Sequence, residues 1–118
     1  MERVSELQIR EAVANFNFVG RLKSRRPFGS GHINDTYLLV FEIGDMGDVN
    51  VILQRMNREI FTKPVELMEN IVGVTSYLRE KIIGNGGDPE RETLNMIPAK
   101  DGKAYYVDSK GEYWRAYK

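Results

Sequence analysis

Cysteine is absent from the chain, and histidine occurs once, at His32. Without thiols there are no disulfides, no thiolate nucleophile and no zinc-thiolate centre. A lone histidine also excludes a multi-histidine metal site within one copy. Neither sign of charge dominates, because 17 Lys and Arg balance 17 Asp and Glu over 118 residues. That balance argues against nucleic-acid binding and polybasic membrane attachment, both of which need surplus positive charge. No apolar run nears the roughly 18 residues of a membrane span, and the opening MERVSELQIREAV is too charged for a signal peptide. A soluble, cytoplasmic, single-domain protein with no nucleic-acid or membrane partner is expected.

The segments that are present alternate between two periodicities. SELQIREAVANF spaces Ile9, Val13 and Phe16 as on a helix, with Ser5 and Gln8 in capping-box positions, predicting a short helix over about residues 5–15. A strand near residues 18–28 carries Arg21, Lys23 and Arg25, which alternation places on one solvated face. TYLLVFEI and VNVILQRMN read as two more strands, turned by GDMGD. In the second, Val51, Leu53 and Arg55 share one face, whereas Ile52, Gln54 and Met56 share the other. A cation ending an apolar row needs a partner.

FTKPVELMENIVGVTSYLREKI predicts a long helix whose stripe is Leu67, Ile71, Val74 and Leu78. Thr62 suits its cap, Pro64 its first turn, and Glu66 its positive end. Gly73 in the middle is assigned to close packing against a sheet, and Gly84 to the helix stop. Strands near residues 93–98, 104–108 and 112–117 follow, joined by KDGK and SKGE turns. The fold class is α+β: an antiparallel sheet of about five strands, one long helix packed on it, and a short N-terminal helix.

Between the first two strands, RRPFGSGHINDTYLLV concentrates Gly29, Ser30, Gly31, His32 and Asn34 in one turn. Glycines there let backbone amides approach an anion such as a phosphate. The pattern is neither a dinucleotide fingerprint nor a Walker A loop, and by itself it reads as a hairpin before it reads as a phosphate cradle. The order that follows adds weight. A glycine loop between strands, a strand bearing a cation and a helix bearing a glutamate is the order of protein-kinase-like folds. Arg55 stands in the cation's place, with Glu69 as its first candidate partner and Glu66 as the second.

The segments FGSGHINDTYLL, VILQRMNREIFTKPVELMENI, GGDPERETLNMIPAKDGKAYY and GEYWRAYK resemble the N-terminal lobe of the aminoglycoside phosphotransferase and choline kinase superfamily. Within it, they are most similar to the N-acetylhexosamine 1-kinase group. The resemblance covers nearly all of residues 28–118. It implies a nucleotide loop at Gly29 to Asn34, a phosphate contact from Arg55, and transfer of phosphate from ATP, with magnesium, to the anomeric hydroxyl of an N-acetylated hexosamine. Many relatives carry lysine on that strand; arginine keeps the charge but offers a planar fork.

In that superfamily the catalytic aspartate follows His-Gly, and the magnesium ligands lie in a second, helical lobe. No His-Gly-Asp occurs here, and isoleucine follows His32. Residues 1–118 are therefore expected to be the nucleotide-binding front lobe of a longer kinase, inactive alone. The lobe is expected to self-associate through an apolar patch at Tyr113, Trp114 and Tyr117. The alternative is a small α+β interaction domain with no nucleotide role. A sulfatase is excluded for this segment, since it needs Cys or Ser in a C/S-x-P-x-R arrangement and the chain has neither cysteine nor Ser-x-Pro.

Overall fold

The computed structural model describes residues 5–28, 35–57, 63–89 and 95–118. Helix α1 (Glu6–Ala14) starts on a closed capping box: the Gln8 N–H donates to Ser5 Oγ and the Ser5 N–H donates to Gln8 Oε1. Two orphan donors of the first turn are thereby satisfied. Ile9 and Ala12 of this helix, with Phe16 just after it, are buried.

The strands are β1 (Arg21–Pro27), β2 (Asp35–Glu42), β3 (Asp48–Arg55), β4 (Met96–Ile97), β5 (Tyr106–Val107) and β6 (Tyr113–Tyr117). They form one antiparallel sheet in the order β1-β2-β3-β6-β4, with β5 also paired to β6. The architecture is α+β with six strands, where about five were expected. The GDMGD turn is a 3-10 turn over Gly44–Met46. Gly102 and Gly111 take positive φ in the KDGK and SKGE turns, as those turns require. At Gly20, φ is +91° and an added Cβ would lie 2.4 Å from the Glu42 carbonyl oxygen, so only glycine fits where the chain enters β1.

A register shift between Leu22 and Ser24 corrects the expected basic face of β1. After this bulge, Arg21 faces Glu42 while Arg25 faces Leu39, an odd number of residues apart on β2 and hence on opposite faces. Each cation has its own carboxylate: Arg21 with Glu42 at 2.6 Å, Lys23 with Asp48 at 3.0 Å, Arg25 with Glu6 at 2.7 Å. These pairs are largely exposed and add little stability.

Helix α2 (Pro64–Gly84) departs most from expectation. Its buried residues are Pro64 and Met68; Leu67 and Ile71 are half-buried, and Val74 and Leu78 are 58% and 40% exposed. The helix is turned by about one residue from the apolar stripe. Val72, Thr75, Ser76 and Arg79 line a hollow of about 410 Å³ against Asn95, Met96 and Pro98, and Arg79 donates to the Asn95 side chain. The first turns of the helix are thus buried, while the expected stripe is exposed toward its C-terminal half. Nothing lies within 4 Å of a Cβ added at Gly73, so close packing is not its role. Thr62 lies outside the described residues; Lys63 is the N-cap, without a side-chain cap bond. Gly84 ends α2, Asn85 caps it, and Gly86 takes the positive φ.

The core sits between α1 and the sheet, where Ile9, Ala12 and Phe16 meet Leu39, Phe41, Val51, Leu53, Trp114 and Ala116. Asp108 anchors one end. It accepts the Trp114 indole N–H at 2.9 Å, the Gln8 amide at 3.3 Å, and the backbone N–H groups of Lys110 and Glu112. Burial pushes this carboxyl up, yet those four donors together hold it below its ordinary range. Trp114 is fully buried and so forms no exposed aromatic patch with Tyr113 and Tyr117, contrary to expectation.

Candidate functional site

Residues directly opposite one another in an antiparallel ladder project to the same face. The registers therefore sort the sheet into two surfaces. Tyr37, Leu39, Val51, Leu53, Trp114 and Ala116 lie on the surface that α1 covers. Thr36, Leu38, Ile52, Gln54, Arg115 and Tyr117 lie on the other, and none of them belongs to the core cluster. All six are half-buried. Arg26 of β1 stands opposite Leu38 and joins this open surface.

Arg55 falls on the covered surface. It is 1% exposed, opposite Asp35 on β2 and Trp114 on β6. Its Nε and Nη2 both donate to Asp35 Oδ2, at 2.9 and 2.5 Å. The cation ending an apolar row thus has its partner, and the partner is not the helix glutamate. Glu69 is exposed and lines a second hollow with Met68, Val72, Lys103 and Tyr105. Glu66 lies 3.9 Å from Lys63. The structure does not bring Arg55 together with either glutamate. The other sequence-selected residues, Gly29, Ser30, Gly31, His32 and Asn34, lie outside the described residues.

On the open surface the side chains form two parallel rows across the sheet. One is polar. Arg115 Nε donates to Gln54 Oε1 at 2.8 Å, and Gln54 Nε2 donates to Thr36 Oγ1 at 3.1 Å. The neighbouring row is apolar, running Leu38, Ile52, Tyr117 and Met96 across four strands. Among the described residues, no carboxylate pairs with Arg115. Burial lowers its basicity, offset in part by Tyr117, which is the signature of a cation held out of water without a counter-charge. A phosphate is the kind of group this donor set fits.

Magnesium finds no matching ligand set: among the described residues there is no group of three or more His, Asp or Glu side chains able to hold a metal ion. No described helix is long and apolar enough to cross a membrane. No protein-family model matches the chain.

Sequence reasoning missed Gln54 and Arg115. The alternation of β3 already separated Gln54 from Arg55, but nothing local said which of the two faces would be covered. Arg115 carried no sequence signal, since its place beside Gln54 arises from β6 inserting between β3 and β4.

Proposed function

We propose that the chain is the nucleotide-binding front lobe of a cytoplasmic, ATP-dependent small-molecule phosphotransferase, a sugar kinase acting on an N-acetylhexosamine. The observation that carries this reading is the open surface, with its apolar row beside a polar one. A flat base stacks on Leu38, Ile52 and Tyr117, while phosphates meet the polar row. That row starts at Thr36, two residues after Asn34 in the sequence. The strand order, with β6 between β3 and β4, is compatible with a kinase-like lobe. Phosphoryl transfer also needs a residue that takes the acceptor's proton and acidic ligands for magnesium. This reading assigns both, and the choice of sugar, to a second lobe.

The test is equilibrium binding of adenosine, ADP and ATP to the chain, with Ile52→Arg and Leu38→Arg as controls that fill the apolar row. Saturable binding that both substitutions abolish, while melting stays cooperative, is expected. Absence of adenine-nucleotide binding, or binding indifferent to both substitutions, overturns the reading. One observation favours an interaction domain instead: α2 exposes Val74, Tyr77 and Ile83 at 58%, 57% and 60%. Loss of a partner on Tyr77→Ser, with no nucleotide effect anywhere, would establish that second reading.

A further inference from the structure

On the open surface, among the described residues, one half-buried cation has no carboxylate partner. The β1 cations are paired or at the rim, Arg55 is neutralised by Asp35, and Asp108 is saturated by donors. Among the described residues of the open surface, Arg115 is a half-buried guanidinium whose bonded neighbour is a neutral amide; Arg79, bonded to Asn95, lies on α2.

Resting on the nucleotide reading above, we infer that Arg115 is the phosphate-binding cation of this lobe. It reaches across from β6 to the position a cation at residue 54 of β3 would occupy. Gln54 is its positioning residue, and Arg55 has no part in phosphate contact.

The geometry supplies the argument. Arg115 and Gln54 are direct partners on adjacent strands, about 4.8 Å apart across the ladder. The 2.8 Å bond from Nε to Gln54 Oε1 draws the Arg115 head over β3. Gln54 cannot swing away, because its amide nitrogen is tied to Thr36 on β2. Bonding through Nε leaves the two terminal nitrogens of the guanidinium, the fork that binds phosphate oxygens two at a time, available to a ligand. A desolvated cation gains most from an anion where water competes least. By contrast, Arg55 spends Nε and Nη2 on one carboxylate oxygen beneath α1.

The experiment compares ADP with adenosine on the wild-type chain and on Arg115→Gln, Arg115→Lys, and the double variant Gln54→Lys with Arg115→Gln. Wild type is expected to prefer ADP. Arg115→Gln should lose about tenfold or more of that preference, the scale of a lost charge-assisted bond, with adenosine affinity unchanged. Arg115→Lys should retain part of it. The double variant should recover it, because a lysine on β3 reaches the same volume. A purely structural role for Arg115 would not be rescued by moving the charge one strand over. An unchanged ADP preference in Arg115→Gln, or no recovery in the double variant, overturns the assignment while leaving the nucleotide reading standing. Wild-type chain that binds neither ligand overturns both. The Nε–Hε resonance of Arg115 provides a base-free check: pyrophosphate should shift it, and no shift at saturating pyrophosphate counts against the assignment.

Discussion

The two surfaces of one sheet are built from the same three central strands and behave as opposites. Under α1, each polar group is matched: Arg55 by Asp35, the Trp114 indole by Asp108, and Gln8 by the same carboxylate. On the open side, Arg115 rests on an amide and the row beside it remains half-buried. The covered surface has satisfied its chemistry internally and is devoted to stability. The open surface keeps a half-buried cation on a neutral partner, and the function proposed above places its ligand there.

The sharpest way to break this comparison is to delete one aromatic from each side. Trp114→Ala should cost about 3–5 kcal/mol, since it opens a cavity in the core and strips Asp108 of a donor. Tyr117→Ala, three residues along on the open side, should cost less than half as much. Urea denaturation of the two variants reads the difference, and equal losses would mean that both surfaces are core.

Next in size is the pair under the helix. Asp35→Ala removes the carboxylate to which the buried Arg55 donates through Nε and Nη2 and should cost about 3 kcal/mol. Nucleotide affinity per folded molecule should be unaffected. A stable Asp35→Ala chain with weakened ADP binding would move Arg55 back to the ligand side.

Acid should act through Asp108. Its carboxyl sits below the ordinary value of 3.8 in the folded chain, so the charged form is favoured by folding. That stability is present in full above the unfolded pKa and is lost as the pH falls through the lower folded value. Asp108→Asn should therefore be less stable than wild type at neutral pH, with the gap closing below about pH 4. Urea midpoints measured from pH 7 down to pH 3 check the convergence, and a gap independent of pH would exclude the carboxylate's charge.

The smallest effect lies away from both surfaces. Gly73→Ala on α2 meets open space and should stabilise the chain by up to about 1 kcal/mol. A loss of stability would show that α2 seats more closely than its exposed Val74 and Leu78 imply.

Much of this was legible locally. The Ser5–Gln8 box, the glycine turns at Gly102 and Gly111, and the β2 and β3 strands follow from neighbours within a few residues. The single helical stripe of α2 was equally legible but misleading. Leu67, Ile71, Val74 and Leu78 do lie on one side of a helix, yet the side that meets β4 is Val72, Thr75 and Arg79. An apolar stripe says that a face seeks cover and does not name the surface that provides it.

The candidate site divides along the same line. Alternation in β3 determined that Gln54 and Arg55 must point apart, because side chains in a strand have a period of two. That period is symmetric between the two faces, so it left open which of them becomes core. Only the tertiary structure decided it, when Ile9, Ala12 and Phe16 docked onto the face of Leu53 and Arg55. Only the insertion of β6 beside β3 brought Arg115, 61 residues away in sequence, to Gln54. Local sequence determines which side chains travel together, whereas long-range pairing determines what they meet.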